Sequence, residues 1–125
     1  MYKRQNERTP LELLFGGDVD RAAAQYRELL DSNPQATAAS ENRLNQLGYD
    51  YLNRSRAADA VAIFRLNATL YPESSNVYDS LGEALMKNGR LDEALDNYGK
   101  SLDLDPANSN AEAMIEQIRR TQSSG

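Results

Sequence analysis

The stretch Tyr78–Tyr98, YDSLGEALMKNGRLDEALDNY, decides the fold. Its first half sets Tyr78, Leu81, Gly82 and Leu85 at i, i+3, i+4 and i+7, one apolar stripe of a helix. Asn88-Gly89 ends that helix, because Gly takes the left-handed conformation without a Cβ penalty. A second amphipathic run follows through Asp92, Ala94, Leu95, Tyr98 and Leu102. It must stop before Pro106, whose ring disfavours the helical conformation at the preceding residue. The unit is helix, tight turn, helix.

The unit recurs. Shifted by 34 residues, Leu44 falls on Tyr78, Leu47 on Leu81, Gly48 on Gly82 and Tyr51 on Leu85. Ala60 then falls on Ala94, Phe64 on Tyr98 and Pro72 on Pro106. Asp18 to Ala22, Tyr26, Leu30 and Pro34 repeat the second half alone, at an offset of 72, four more than two periods. Those four residues fall in the Ala-rich stretch Gln35–Ser40, and about one helical turn of extra length predicts a longer helix there. A mid-helix Gly costs about 1 kcal/mol relative to Ala. The paired Gly48 and Gly82 therefore predict close approach of the partner helix, through Ala60 or Ala94.

The pattern Tyr78, Leu81-Gly82, Leu85, Ala94, Tyr98 and Pro106 resembles the tetratricopeptide repeat at its standard spacing. The resemblance implies an all-α fold, helical hairpins stacked in a short right-handed solenoid. It divides the chain into a tail and short helix (1–17), a half repeat (18–34), a repeat with one extra turn at its start (35–72), a second repeat (73–106), a cap helix (107–120) and a disordered tail (121–125). Departures are Ser55 at the usual turn Gly, Asn67 and Ser101 at a small Ala, and the Arg56-Ala57-Ala58 start of a second helix. Asn76–Ala84, Phe64–Asn67 and Leu70–Ser74 are similar to the repeats at the C-terminal end of some bacterial serine hydrolases, both beta-lactamase-like enzymes and esterases.

At the N-terminal end Thr9-Pro10-Leu11-Glu12 combines an N-cap, Pro at the first helical position and a capping-box Glu, with Leu11, Leu14 and Phe15 as one apolar turn. At the other end Ala111, Met114, Ile115 and Ile118 make one stripe, with Glu112, Glu116, Arg119 and Arg120 outside it. That is the solvating cap an open stack needs.

Composition excludes most chemistry. The 125 residues include no Cys and no His, which removes thiolate sites, the usual general base and the commonest metal ligand. The net charge of -5 offers no footprint for nucleic acid or an anionic membrane. The one cationic cluster, Lys3, Arg4 and Arg8, reads as a solvated tail. No apolar run approaches the ~20 residues of a membrane span, and no signal peptide opens the chain, so the cytoplasm is expected, or the periplasm for a piece of a longer chain. Asp92 and Glu93 are explained by the helix dipole. Asp103-Leu104-Asp105-Pro106 lacks the Gly and Glu of a calcium loop, and Gly16-Gly17-Asp18 lacks the Lys-Ser/Thr of a phosphate loop. Ser80 has no base in register to activate it. The reading is a non-catalytic chain without metal or cofactor.

What remains is a polar face. At about 100° per residue, Asn42, Gln46, Tyr49 and Asn53 gather opposite Leu47 and Gly48, and Asn76, Ser80, Glu83 and Lys87 gather likewise in the next unit, with Asp79 beside them. In tetratricopeptide proteins such a face lines the concave groove that holds peptides or partner helices. The resemblance thus implies a protein-interaction module, with Tyr49 as an exposed aromatic anchor. Asn45 and Tyr49 stand where the clamp for a C-terminal carboxylate would need Lys and Asn, and Asp79 and Glu83 outnumber Lys87, so a neutral or mildly basic partner is expected. The alternatives are an accessory module of a bacterial hydrolase and a unit that self-associates through its repeat ends.

Overall fold

A computed structural model describes residues 8–124. Seven α-helices follow one another: α1 (Pro10–Phe15), α2 (Val19–Ser32), α3 (Glu41–Asn53), α4 (Ala57–Leu70), α5 (Ser75–Lys87), α6 (Leu91–Leu104) and α7 (Ser109–Ser124). Strands are absent among the described residues. The helices pair as α1–α2, α3–α4 and α5–α6, and α7 packs on α6 in the place of a fourth first helix. Of the N-terminal cationic cluster, Lys3 and Arg4 lie outside the described residues, and Arg8 is exposed.

The three hairpin turns share one hydrogen-bond pattern. Asp18, Arg56 and Arg90 donate their N–H groups to the carbonyls of Leu13, Tyr51 and Leu85, and Gly17, Ser55 and Gly89 donate to Leu14, Leu52 and Met86. This is the Schellman arrangement, which needs a left-handed residue at the hinge. Gly17 and Gly89 supply it at φ 94° and 78°, and Ser55 adopts it at φ 61°. The turn at Ser55 therefore keeps the common geometry and carries the strain of a Cβ there.

Three expected segments change. The Ala-rich stretch does not lengthen α3; it forms a 3₁₀ turn, Thr37–Ala39. The Asn33 side chain accepts from Gln35 N (3.2 Å), and Ser40 Oγ accepts from Arg43 N (3.2 Å) to cap α3. Those two local bonds fix both ends of a segment too short to nucleate its own helix. The Tyr71 hydroxyl then donates to the Ala39 carbonyl (2.5 Å), holding the turn against α4. At the C-terminus α7 continues to Ser124, past the tail boundary expected at 121. The half repeat 18–34 is also more than half: α1, with its capping box intact, packs on α2 as a shortened first helix.

The core has two parts that share α4. One gathers Leu13, Leu14, Ala22, Ala23 and Tyr26 with Ala39, Leu44, and Ile63 and Leu66 of α4. The other gathers Ala60, Val61 and Phe64 of α4 with Val77, Leu81, Leu85, Ala94, Tyr98, Ala111 and Ile118. This is why α4 is apolar nearly all round while its neighbours are amphipathic.

The close approach at the glycines is made by rings, and not by Ala60 or Ala94. A Cβ at Gly48 would stand 2.6 Å from Phe64 Cζ and closer still to Cε1, and one at Gly82 would stand 3.0 Å from three atoms of the Tyr98 ring. The departures at Asn67 and Ser101 also have a use. Both are buried, and each donates to the first residue of the paired helix: Asn67 Nδ2 to the Glu41 carbonyl (3.1 Å) and Ser101 Oγ to the Ser75 carbonyl (2.9 Å). Between second helices, Arg65 of α4 meets Glu93 of α6 at 2.5 Å, and Arg90 meets the same carboxylate. The Arg65 guanidinium, joined by Arg90, holds Glu93 below the usual glutamate range.

This packing makes two expectations measurable. In urea unfolding, Gly48→Ala should destabilise by roughly 1–3 kcal/mol through overpacking against a buried ring. Gly82→Ala, with the milder contact, should cost less, and Gly99→Ala, where nothing lies within 4 Å, should gain stability. Glu93 has a lowered pKa in the fold, so its stabilising effect is present above the unfolded glutamate value and is lost as pH falls through the folded one. The difference in melting temperature between wild type and Glu93→Gln should therefore be present at pH 7 and vanish on acidification below the glutamate range.

Candidate functional site

The first helices α3, α5 and α7 lie side by side and present their polar positions to one face. Register explains the alignment: Tyr49 and Glu83 are one 34-residue period apart, as are Asn76 and Asn110. The expected site residues divide into two groups on this face.

Asn45, Tyr49, Ser80, Glu83 and Lys87 bond to one another. The Tyr49 hydroxyl donates to Glu83 Oε1 at 2.9 Å and lies 3.3 Å from Ser80 Oγ. Ser80 Oγ in turn donates to Asn45 Oδ1 at 2.7 Å. Lys87 Nζ reaches Glu83 at 3.4 Å from a half-exposed position. Ser80 is buried, and Tyr49 is half-buried with its ring edge-on to Phe64 at a centroid distance of 5.1 Å. Burial pushes the Tyr49 hydroxyl up to about 12, with the Glu83 carboxylate adding to it, so the group is a neutral donor at physiological pH. Tyr49 is thus no exposed anchor. It ties α3 to α5, and its ring packs edge-on against the Phe64 ring that lies on Gly48.

The second group is free of such ties. Asn42, Gln46 and Asn53 of α3 and Asn76 of α5 are exposed, and none of their side chains is held by a hydrogen bond among the described residues. Asp79 stands between the groups, half-buried, where Asn110 of α7 donates to both its oxygens (3.0 and 3.2 Å). Burial pushes the Asp79 carboxyl up, and the Asn110 and Asn108 amides oppose that shift.

Two contributors to the face escape a reading of the sequence. Asn110 is Asn76 plus one period, a signal visible only if the last helix is treated as a continuing repeat. Tyr98 has the register of a core residue and is fully buried, but its hydroxyl has no hydrogen-bond partner among the described residues. Burial raises its pKa, and the charges of Asp79 and Glu83 add to that. No group of three or more carboxylates among the described residues is arranged to hold a metal ion. Nor is any described helix long and apolar enough to cross a membrane.

Stacked hairpins with a polar face built from first helices define a helical-repeat protein. Models of the tetratricopeptide repeat match residues 11–44 and 75–108, together more than half of the chain. The chain belongs to the tetratricopeptide-repeat family. It is 32% identical over 113 residues to Heat shock protein STI1 of Saccharomyces cerevisiae, a match that covers 85% of this chain and 19% of that protein. The anaphase-promoting complex subunit CDC16 of the same yeast is 32% identical over 85 residues, 68% of this chain and 10% of that one. The chain thus spans a small part of the curated relatives it matches. Among solved structures, a mutant form of MamA superposes with a TM-score of 0.66 at 25% identity, over 91% of this chain and 80% of that one. The first repeat domain of Spaghetti (RPAP3), bound to an HSP90 peptide, gives 0.62 at 23%, over 91% and 87%.

The two tyrosines give opposite expectations. Tyr49→Phe removes a hydrogen bond to a carboxylate and should cost about 1.5–3 kcal/mol. Tyr98→Phe removes a buried hydroxyl without a partner and should leave the melting temperature unchanged or raise it. Thermal unfolding of the two variants side by side checks both.

Proposed function

We propose that this chain is a non-catalytic interaction module whose concave face, across α3 and α5, holds an extended segment of a partner protein. One observation supports it most directly: the exposed amides of Asn42, Gln46, Asn53 and Asn76 stand on one face with donors and acceptors uncommitted. An amide side chain can pair with both groups of a peptide backbone. The RPAP3 relative carries the acidic peptide SRMEEVD. Here the face across α3 and α5 carries Asp79 and Glu83 against Lys87, which disfavours an acidic tail and favours a neutral or mildly basic partner.

The accessory-module reading, in which the chain serves a bacterial hydrolase, rests on the resemblance of Asn76–Ala84, Phe64–Asn67 and Leu70–Ser74 alone. Self-association through the repeat ends has less support. At the C-terminal end, α7 turns Glu112, Glu116, Arg119 and Arg120 to solvent.

Combined Asn42→Ala, Gln46→Ala and Asn53→Ala should leave the melt nearly intact, since exposed substitutions of this kind stay within about 0.5 kcal/mol. It should abolish capture of the partners bound by the wild type. Glu112→Ala with Glu116→Ala on α7 is the control and should capture normally. Equal capture by the triple variant would move the binding surface off the concave face.

A further inference from the structure

The second helices carry a groove of their own. α4 and α6 each pack on α5 and leave a trough between them, along which three cavities follow one another. The first, of about 350 Å³, shares Val19 and Arg65 with the second, also of about 350 Å³. The second shares Tyr78 and Lys100 with the third, of about 240 Å³. The concave-face residues line none of them. The charge of this trough is opposite in sign to that of the chain. Arg65, Arg90 and Lys100 line the first two cavities against Glu93 alone, and Asp103 joins only at the far end. Arg27 adds a fourth cation, its guanidinium donating at 3.1 Å to the carbonyl of Thr69, which lines the second cavity. Glu93 is shared by Arg65 and Arg90, so one carboxylate faces two guanidiniums. Lys100 meets no carboxylate among the described residues; its ammonium lies 5.5 Å from the centre of the Tyr78 ring. On a chain of net charge -5, positive charge is left unbalanced here.

We propose that this trough is a second docking surface, independent of the concave face, for an extended acidic segment of a partner protein. Carboxylates of the segment complete the charge that Glu93 leaves unbalanced, and an apolar side chain between them meets Val19, Ala62 and Ala68. Each guanidinium has more N–H donors than one carboxylate uses. Exposed ion pairs are weak, so the half-exposed Arg65 and Arg90 can take a further carboxylate without first losing much. Arg90 and Lys100 are ten residues apart. That is about 15 Å of helical rise, which an extended chain crosses in about four to five residues. A nucleic acid is a poorer match, because the acidic remainder of the chain repels a long polyanion.

The test selects from a display library of random dodecapeptides on the full 125-residue chain. One class of selected peptides should carry two acidic residues at that spacing. In fluorescence anisotropy, Arg65→Gln with Lys100→Gln should weaken this class at least tenfold. Arg119→Gln with Arg120→Gln on α7 removes the same charge elsewhere and should leave binding as in the wild type. Glu93→Gln removes the competing carboxylate and should tighten binding at least threefold, a gain that damage to the fold could not produce. The absence of an acidic class would overturn the proposal, as would an acidic class that binds the Arg65, Lys100 variant as well as the wild type. A labelled oligonucleotide that binds through these residues where no peptide is selected would overturn it too.

Discussion

An aromatic ring laid on a glycine is the contact on which this stack depends. Phe64 on Gly48 and Tyr98 on Gly82 set the distance and angle between the two helices of a hairpin, because nothing but a missing side chain lets the ring come so close. The glycines weaken their helices by about 1 kcal/mol each. The offset comes from fully burying a large ring, worth roughly 1.5–3 kcal/mol. Once the pair is set, its outer positions follow. Position 49 comes to stand edge-on to the Phe64 ring, and the Tyr98 ring comes to lie against Gly82, between positions 79 and 83 of the sequence. The floor of the groove is thus fixed by the core beneath it.

The fold is legible in the sequence because repeat packing is local and periodic. Register alone aligns Leu44 with Tyr78 and Phe64 with Tyr98, and those residues do occupy equivalent places in the two hairpins. What periodicity cannot show is the outcome at unique positions. Ser40 and Asn33 bond to nearby backbone, and those bonds, with Tyr71 closing over Ala39, outweigh the helix propensity of the Ala-rich run. Tyr49 looks exposed on a helical wheel, which treats one helix as if it stood alone. Its ring meets the ring of Phe64 edge-on, and its hydroxyl finds a carboxylate one period along the chain. A wheel places a residue on a side of its helix and leaves open what stands opposite that side.

The candidate site is half legible for the same reason. Asn42, Gln46, Asn53 and Asn76 are exposed as their positions suggest, and no described residue bonds their side chains. Ser80 and Asn45 lie on the same arc and are consumed by contacts between α3 and α5. Short side chains near the helix-helix seam bond inward, and those farther from it stay free. Asn67 and Ser101 show the seam from the other side: two departures from the family's small residue prove to be one device, each side chain bonding the first carbonyl of its paired helix.

Helical-repeat proteins behave as linear arrays, in which each unit answers mainly to its neighbours and one end can fray while the other holds. Here α4 belongs to both cores, giving Ile63 and Leu66 to the one and Ala60, Val61 and Phe64 to the other. Melting the N-terminal hairpin would strip one side of the helix that anchors the C-terminal half. The two ends are therefore coupled more tightly than an array of equal repeats, and the chain behaves less like beads on a string than like two rooms built on a single shared wall.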